Sequence, residues 1–120
     1  MTKVLLVEDD AWLAEVEAGV LLKAGYDVQV APHAPAAIEL VDSFQPEVIV
    51  LDVLLAGSTA FALLNELQSY TDTGIVPVVL CTNIADQFDA ENLKEYGVKR
   101  VVDKTTMHPD DLVAAVRSVE

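Results

Sequence analysis

Two four-residue runs, Val4-Leu5-Leu6-Val7 and Val48-Ile49-Val50-Leu51, constrain this chain more than any other feature, because neither alternates apolar with polar residues. A strand with one face in water carries a polar residue at every second position, so an unbroken run implies cover on both faces. Helices on both faces of a sheet are the mark of parallel α/β architecture. Each run also stops abruptly on acid: Glu8-Asp9-Asp10 follows the first and Asp52 follows the second.

Helical and strand patterns alternate through the rest of the chain. A helix from about Asp10, with Leu13, Val16 and Val20 on one face, stops at Gly25. Asp27 to Val30 reads as a weaker strand. Ala36 to Phe44 reads as a helix that places Ile38, Val41 and Phe44 at helical spacing and ends before Pro46. A third helix spans about Thr59 to Tyr70, with Phe61, Leu64 and Leu67 inward. Pro77 opens the strand Val78 to Cys81, a fourth helix runs from about Asp86 to Tyr96, and Gly97 closes it. Arg100 to Asp103 is the last short strand. The final helix starts near Pro109, a favourable first-turn residue, and buries Leu112, Val113 and Val116.

The pattern is βα five times, with connections too short for anything but a parallel sheet. Right-handed crossovers then favour a doubly wound, five-stranded α/β fold with strand order 2-1-3-4-5. No repeat, linker or low-complexity tract divides the chain, so residues 1–120 are expected to form one domain, long enough to bury a core.

Charge narrows the partners. The formal net charge is −13, from 20 acidic and 7 basic residues. Phosphate backbones are bound by Lys and Arg, so neither direct nucleic-acid binding nor an anionic membrane is expected. Basic protein partners and cations are favoured instead. Cys81 is the single cysteine, which leaves no internal disulfide and suits a reducing compartment. With no signal-peptide pattern at its start and no membrane-length apolar run, the chain is expected in the cytoplasm.

In open α/β sheets, sites form beyond the carboxyl ends of the strands where the strand order reverses, here between strands one and three. Strand one ends at Glu8-Asp9-Asp10, strand three at Asp52, strand four at Thr82 and strand five at Lys104. Taken singly, each has a structural reading. The first acids can cap a helix, Thr82 can satisfy its own backbone, Lys104 can lie in solvent, and Asp52 can be a buried ion-pair partner. Their coincidence at four strand ends is what structural roles do not predict. Crowded carboxylates take up protons or bind a cation, and Mg2+ suits one or two carboxylates with room left for a phosphate oxygen.

At Val4 to Asp10, Val48 to Gly57, Pro77 to Thr82 and Gly97 to Lys104 the chain resembles the receiver domain of two-component response regulators, over nearly its whole length. The resemblance implies a flavodoxin-like receiver fold. It also implies that Asp52 accepts a phosphoryl group from a histidine kinase or phosphotransfer protein. By the same resemblance, Asp9, Asp52 and the Leu54 backbone carbonyl would bind Mg2+, with Mn2+ as a substitute and Glu8 acting through water. Asp10 would cap the first helix. Lys104 would pair with Asp52 and then with a phosphoryl oxygen, and the Thr82 hydroxyl would swing to the phosphate. Such a protein phosphorylates and dephosphorylates itself but is not a turnover enzyme. Its switch would reshape an interaction face made of the fourth helix, the fifth strand and the fifth helix, where Phe88, Tyr96, Val101 and Met107 offer apolar contacts to a downstream protein or to a second copy.

The departures from that pattern are specific. Thr105 stands where a proline usually follows the lysine, Val101 where an aromatic switch residue usually stands, and Ala56 and Ala60 replace a usual Pro and Gly. Asn83 is bulky enough to narrow phosphoryl access. Leu54 and Ile84 hold the two positions that tune dephosphorylation, and neither can orient an attacking water, so a long-lived phosphoryl state is expected. The competing reading is a pseudo-receiver, a phosphorylation-independent binding module of the same fold. A Mg2+-dependent aspartyl phosphatase would carry a second Asp two residues after the nucleophile, where this chain has Leu54. A flavin-binding fold would not place Glu8-Asp9-Asp10 in its phosphate loop. The chain ends at Glu120 straight after its last helix, as either a stand-alone receiver or a segment of a longer regulator would.

Overall fold

A computed structural model describes residues 1–52, 57–69, 76–82, 94, 96–103 and 108–120, without the side chains of residues 57–61 and Thr82. Five parallel strands form one sheet: β1 (Lys3–Glu8), β2 (Asp27–Ala31), β3 (Val48–Asp52), β4 (Val78–Thr82) and β5 (Val98–Asp103). Their order is β2-β1-β3-β4-β5, as the sequence predicts. Every residue of β3 is buried, and so is β1 from Val4 to Glu8, which is why neither run tolerates alternation.

The pleat sends successive side chains to opposite faces and so divides the core in two. Leu5, Val7, Ile49, Leu51 and Leu80 pack with Ala37 and Val41 of α2 (Ala34–Phe44) and with Leu63, Leu64 and Leu67 of α3 (Gly57–Ser69). Val4, Leu6, Val48, Val50, Val79 and Cys81 pack on the other face with Leu21 of α1 (Ala11–Lys23) and with Leu112, Ala115 and Val116 of the C-terminal helix (Pro109–Val119). Even-numbered positions of β1 and β3 therefore face α1, and that parity continues to Glu8 and Asp52.

Several boundaries and faces differ from the sequence reading. In α1 the buried residues are Ala14, Glu17 and Leu21; Leu13 and Val20 are half-buried and Val16 is 42% exposed. A face chosen by hydropathy alone passes over Glu17, because a charged residue counts against burial. Ile38 and Phe44 are half-buried beside the deeper Ala37 and Val41. In the C-terminal helix Ala115 takes the buried place expected of Val113. β5 begins two residues early because of an irregularity at its start: Val78 pairs with Val98 but Val79 with Arg100, so Lys99 is the extra residue. The helix expected at 86–96 lies outside the described residues except for Lys94 and Tyr96.

One polar clasp has no apolar pattern to announce it. Gln68, near the end of α3, donates from Nε2 to the carbonyls of Val76 (2.8 Å) and Tyr96 (3.1 Å) and accepts from the Val76 N–H (2.9 Å). It thereby ties α3 to the entries of both β4 and β5.

At the end of α2, Gln45 adopts φ 52°, ψ 63°, a left-handed conformation in which Cβ crowds the following carbonyl. Gln45→Gly removes that strain. The expected gain is about 1 kcal/mol in urea denaturation, the strain relief being partly offset by the extra freedom of glycine in the unfolded chain.

Candidate functional site

The site begins with strand register. Glu8 is the parallel partner of Asp52, so the last residues of β1 and β3 stand side by side at the point where the sheet changes direction. Both side chains are buried, Glu8 2% exposed and Asp52 fully inaccessible. Glu17 of α1, 4% exposed, comes down on the same face, and each of the three offers a carboxylate oxygen within 4.8 Å of the other two.

Local structure fixes these positions. Asp10 accepts from the N–H groups of Trp12 (2.9 Å) and Leu13 (3.1 Å) through Oδ1 and caps α1, the role its position predicts. Glu8 Oε1 accepts from the Asp10 N–H at 2.9 Å, which turns the chain from strand to helix. Seven residues on from Asp10, two helical turns return Glu17 to the sheet, one turn before the buried Leu21.

The electrostatics are those of crowded acid. Burial pushes the Glu8 carboxyl up to about 8; the Asp10 N–H works against that rise, and the charge of Asp52 beside it adds to it. Glu8 Oε2 is shut off from solvent and takes no hydrogen bond. An orphaned carboxylate oxygen among two further buried carboxylates is a donor set for a hard divalent cation. An all-oxygen set of this kind suits Mg2+, Mn2+ or Ca2+ over the softer metals that favour sulfur and imidazole.

The sequence model of the response regulator receiver domain matches residues 4–117. The chain belongs to that family. Among relatives, the DNA-binding response regulator MtrA of Mycobacterium tuberculosis is 33% identical over 116 residues, 97% of this chain and 49% of that protein. The sensory transduction protein RegX3 of the same organism is 30% identical over 119 residues, 99% of this chain and 51% of that protein. The receiver thus spans about half the length of the curated relatives it matches. Solved structures share its fold, and two of them serve as examples. Chemotaxis protein CheY4 of Vibrio cholerae superposes with a TM-score of 0.81 at 24% identity, covering 100% of this chain and 99% of that one. The receiver domain of sensor histidine kinase PA1611 from Pseudomonas aeruginosa, solved with a magnesium ion in its active-site cleft, superposes with a TM-score of 0.80 at 23% identity, covering 98% and 96%.

Of the residues expected in the receiver's site, Glu8 and Asp52 are brought together. Asp9 is exposed and stands outside the buried trio, although it too helps raise Glu8. Thr82 is the last residue of β4, opposite Asp103 of β5. Lys104, Leu54, Asn83 and Ile84 lie outside the described residues, as do Ala56, Thr105, Phe88 and Met107. Glu17 is the member of the buried carboxylate trio that sequence reasoning missed. The signal was available: Ala14, Glu17 and Leu21 fall at i, i+3 and i+7, a helical stripe with a carboxylate in its middle.

Proposed function

We propose that this receiver accepts a phosphoryl group on Asp52 from the phosphohistidine of a sensor histidine kinase or phosphotransfer protein, and that the transfer depends on Mg2+. The observation that carries the reading is the registered pair Glu8 and Asp52, both buried, at the switch point of the sheet. An Asp52 carboxylate oxygen attacks phosphorus opposite the departing imidazole nitrogen. The O–P bond forms as the P–N bond breaks, and the imidazole leaves carrying a proton. Bound Mg2+ would neutralise charge on the phosphoryl oxygens. Asp9, Asp52 and the Leu54 carbonyl would hold it, with Glu8 orienting one of its waters; Lys104 would pair with a phosphoryl oxygen and the Thr82 hydroxyl would close on another.

The output follows from the same reading. β5 and the C-terminal helix, together with the segment before β5, would form the switched face and present Val101, 36% exposed, to a downstream protein or a second copy. With a net charge of −13, a downstream partner presents a basic protein surface and is not nucleic acid, and the site of action is the cytoplasm. No described helix is long and apolar enough to cross a membrane.

Incubation with acetyl phosphate and Mg2+, followed by intact mass, tests the function. A gain of one phosphoryl group that chelation abolishes supports it. No gain from either acetyl phosphate or a phosphorylated kinase would leave the pseudo-receiver, a binding module of the same fold. Phosphoryl lifetime is a separate expectation. Leu54 and Ile84 hold the two positions that the family resemblance ties to dephosphorylation, and neither apolar side chain can orient an attacking water, so decay after removal of the donor is slow and Leu54→Asn accelerates it. Equal decay in both proteins would refute that expectation.

A further inference from the structure

We propose that Glu17 is a third carboxylate of the cation site, supplied by α1, and that it tightens divalent-cation binding beyond what the strand-end acids achieve alone. The inference rests on the cation-dependent reading above and assigns a residue to that site from the structure itself.

Helix orientation is the first observation. α1 turns Glu17 to 4% exposure while Val16, the adjacent residue, is 42% exposed and Trp12 70%. A helix placed by hydrophobicity alone would do the reverse, because a buried carboxylate is costly unless something compensates its charge. The position is not loose. The Asp10 cap fixes the start of the helix and Leu21, fully buried against Val4, Leu6 and Val48, fixes the turn after Glu17.

The second observation is the state of one Glu8 oxygen. That side chain is 98% shielded from solvent, yet its Oε2 takes no hydrogen bond while an oxygen of Glu17 and one of Asp52 lie within 4.8 Å of a Glu8 oxygen. Three carboxylates from β1, β3 and α1 thus converge on one small volume from three directions. A divalent cation turns their mutual repulsion into a shared attraction and gives the orphaned oxygen a partner. Mg2+ commonly takes one or two carboxylates and keeps several waters, so Glu17 can act by direct ligation or through one of those waters.

Mn2+ binding to the full chain, measured as free Mn2+ by electron paramagnetic resonance, tests this, with the Mg2+-induced rise in Tm as a second readout. Glu17→Gln keeps the size of the side chain and removes its charge; roughly tenfold weaker binding is expected, the low end of the loss usual for a residue supporting a metal site. Its Tm gains correspondingly less from Mg2+. Glu15→Gln, an exposed acid on the same helix, changes net charge equally and should bind as wild type does. If Glu17→Leu folds it should match Glu17→Gln; if it does not fold, Glu17→Gln alone decides. Wild-type binding in Glu17→Gln, or equal loss in Glu15→Gln and Glu17→Gln, overturns the assignment and leaves the phosphoacceptor reading standing. No binding by the wild-type protein overturns the cation reading and this inference with it.

Discussion

Replacing Asp52 by Asn abolishes phosphoryl uptake and at the same time makes the cation-free protein more stable at alkaline pH. The first effect is complete, because an amide oxygen is not a competent nucleophile and no other described carboxylate stands at the end of β3 in register with Glu8. The second effect has the opposite sign for a physical reason. Asp52 adds its charge to the burial that holds the Glu8 carboxyl high. Asparagine removes that charge, and its amide can donate to Glu8 Oε2, which accepts no hydrogen bond in the native chain. Removing one like charge and supplying one charge-assisted hydrogen bond amount to about 2 kcal/mol. The gain appears in urea denaturation at pH 8 with EDTA and shrinks at pH 5, where Glu8 is already protonated. A variant that loses phosphorylation and also loses stability at pH 8 would show that the Asp52 charge supports the fold, and the account of strand-end repulsion would be wrong.

Legibility of this receiver in its sequence followed burial on two faces. Val4 to Val7 and Val48 to Leu51 are hydrophobic at every position because every position is covered, and from those runs the parallel sheet and its switch point follow. The acids at the strand ends were legible for the complementary reason: a carboxylate directly after a buried run must cap, pair or bind, and such groups recur at neighbouring strand ends. Glu17 was not legible by hydropathy, since its burial depends on which face the capped helix turns to the sheet, and Leu13, Val16 and Val20 form a greasier stripe than the one actually buried. Gln68 escaped in the same way, because its clasp on Val76 and Tyr96 joins segments that are neighbours only after folding. The early start of β5 came from the extra residue at Lys99, a local irregularity with no compositional signature. Glu17 and Gln68 were missed as polar groups whose surroundings form only on folding, whereas the unbroken apolar runs of β1 and β3 carried their burial in the sequence itself.

Cation-free receiver should lose stability as pH rises from about 5 to about 8, and Mg2+ should restore much of what is lost. Glu8 ordinarily titrates near 4.5 and is held up to about 8 in the folded protein. Below the lower value both folded and unfolded chains carry the proton, so pH has no effect through this group. Between the two values the unfolded chain releases the proton and the folded one keeps it. Stability therefore falls with rising pH, at up to about 1.4 kcal/mol per pH unit, and the contribution levels off above the folded pKa. Across the window the loss is on the order of a few kcal/mol. Ordinary carboxylates are ionised in both states above about pH 6, so the span from 6 to 8 isolates Glu8 from the general repulsion of an acidic chain. A cation needs the carboxylate form, so its binding displaces the Glu8 proton and its affinity climbs through the same window. Stabilisation by the ligand then grows where the intrinsic stability shrinks. Urea denaturation at pH 6 and 8, each with EDTA or saturating Mg2+, should give a steep fall without the cation and a shallow one with it. Glu8→Gln should flatten the EDTA profile. A profile equally steep in Glu8→Gln would move the origin of the pH dependence away from the strand-end acids.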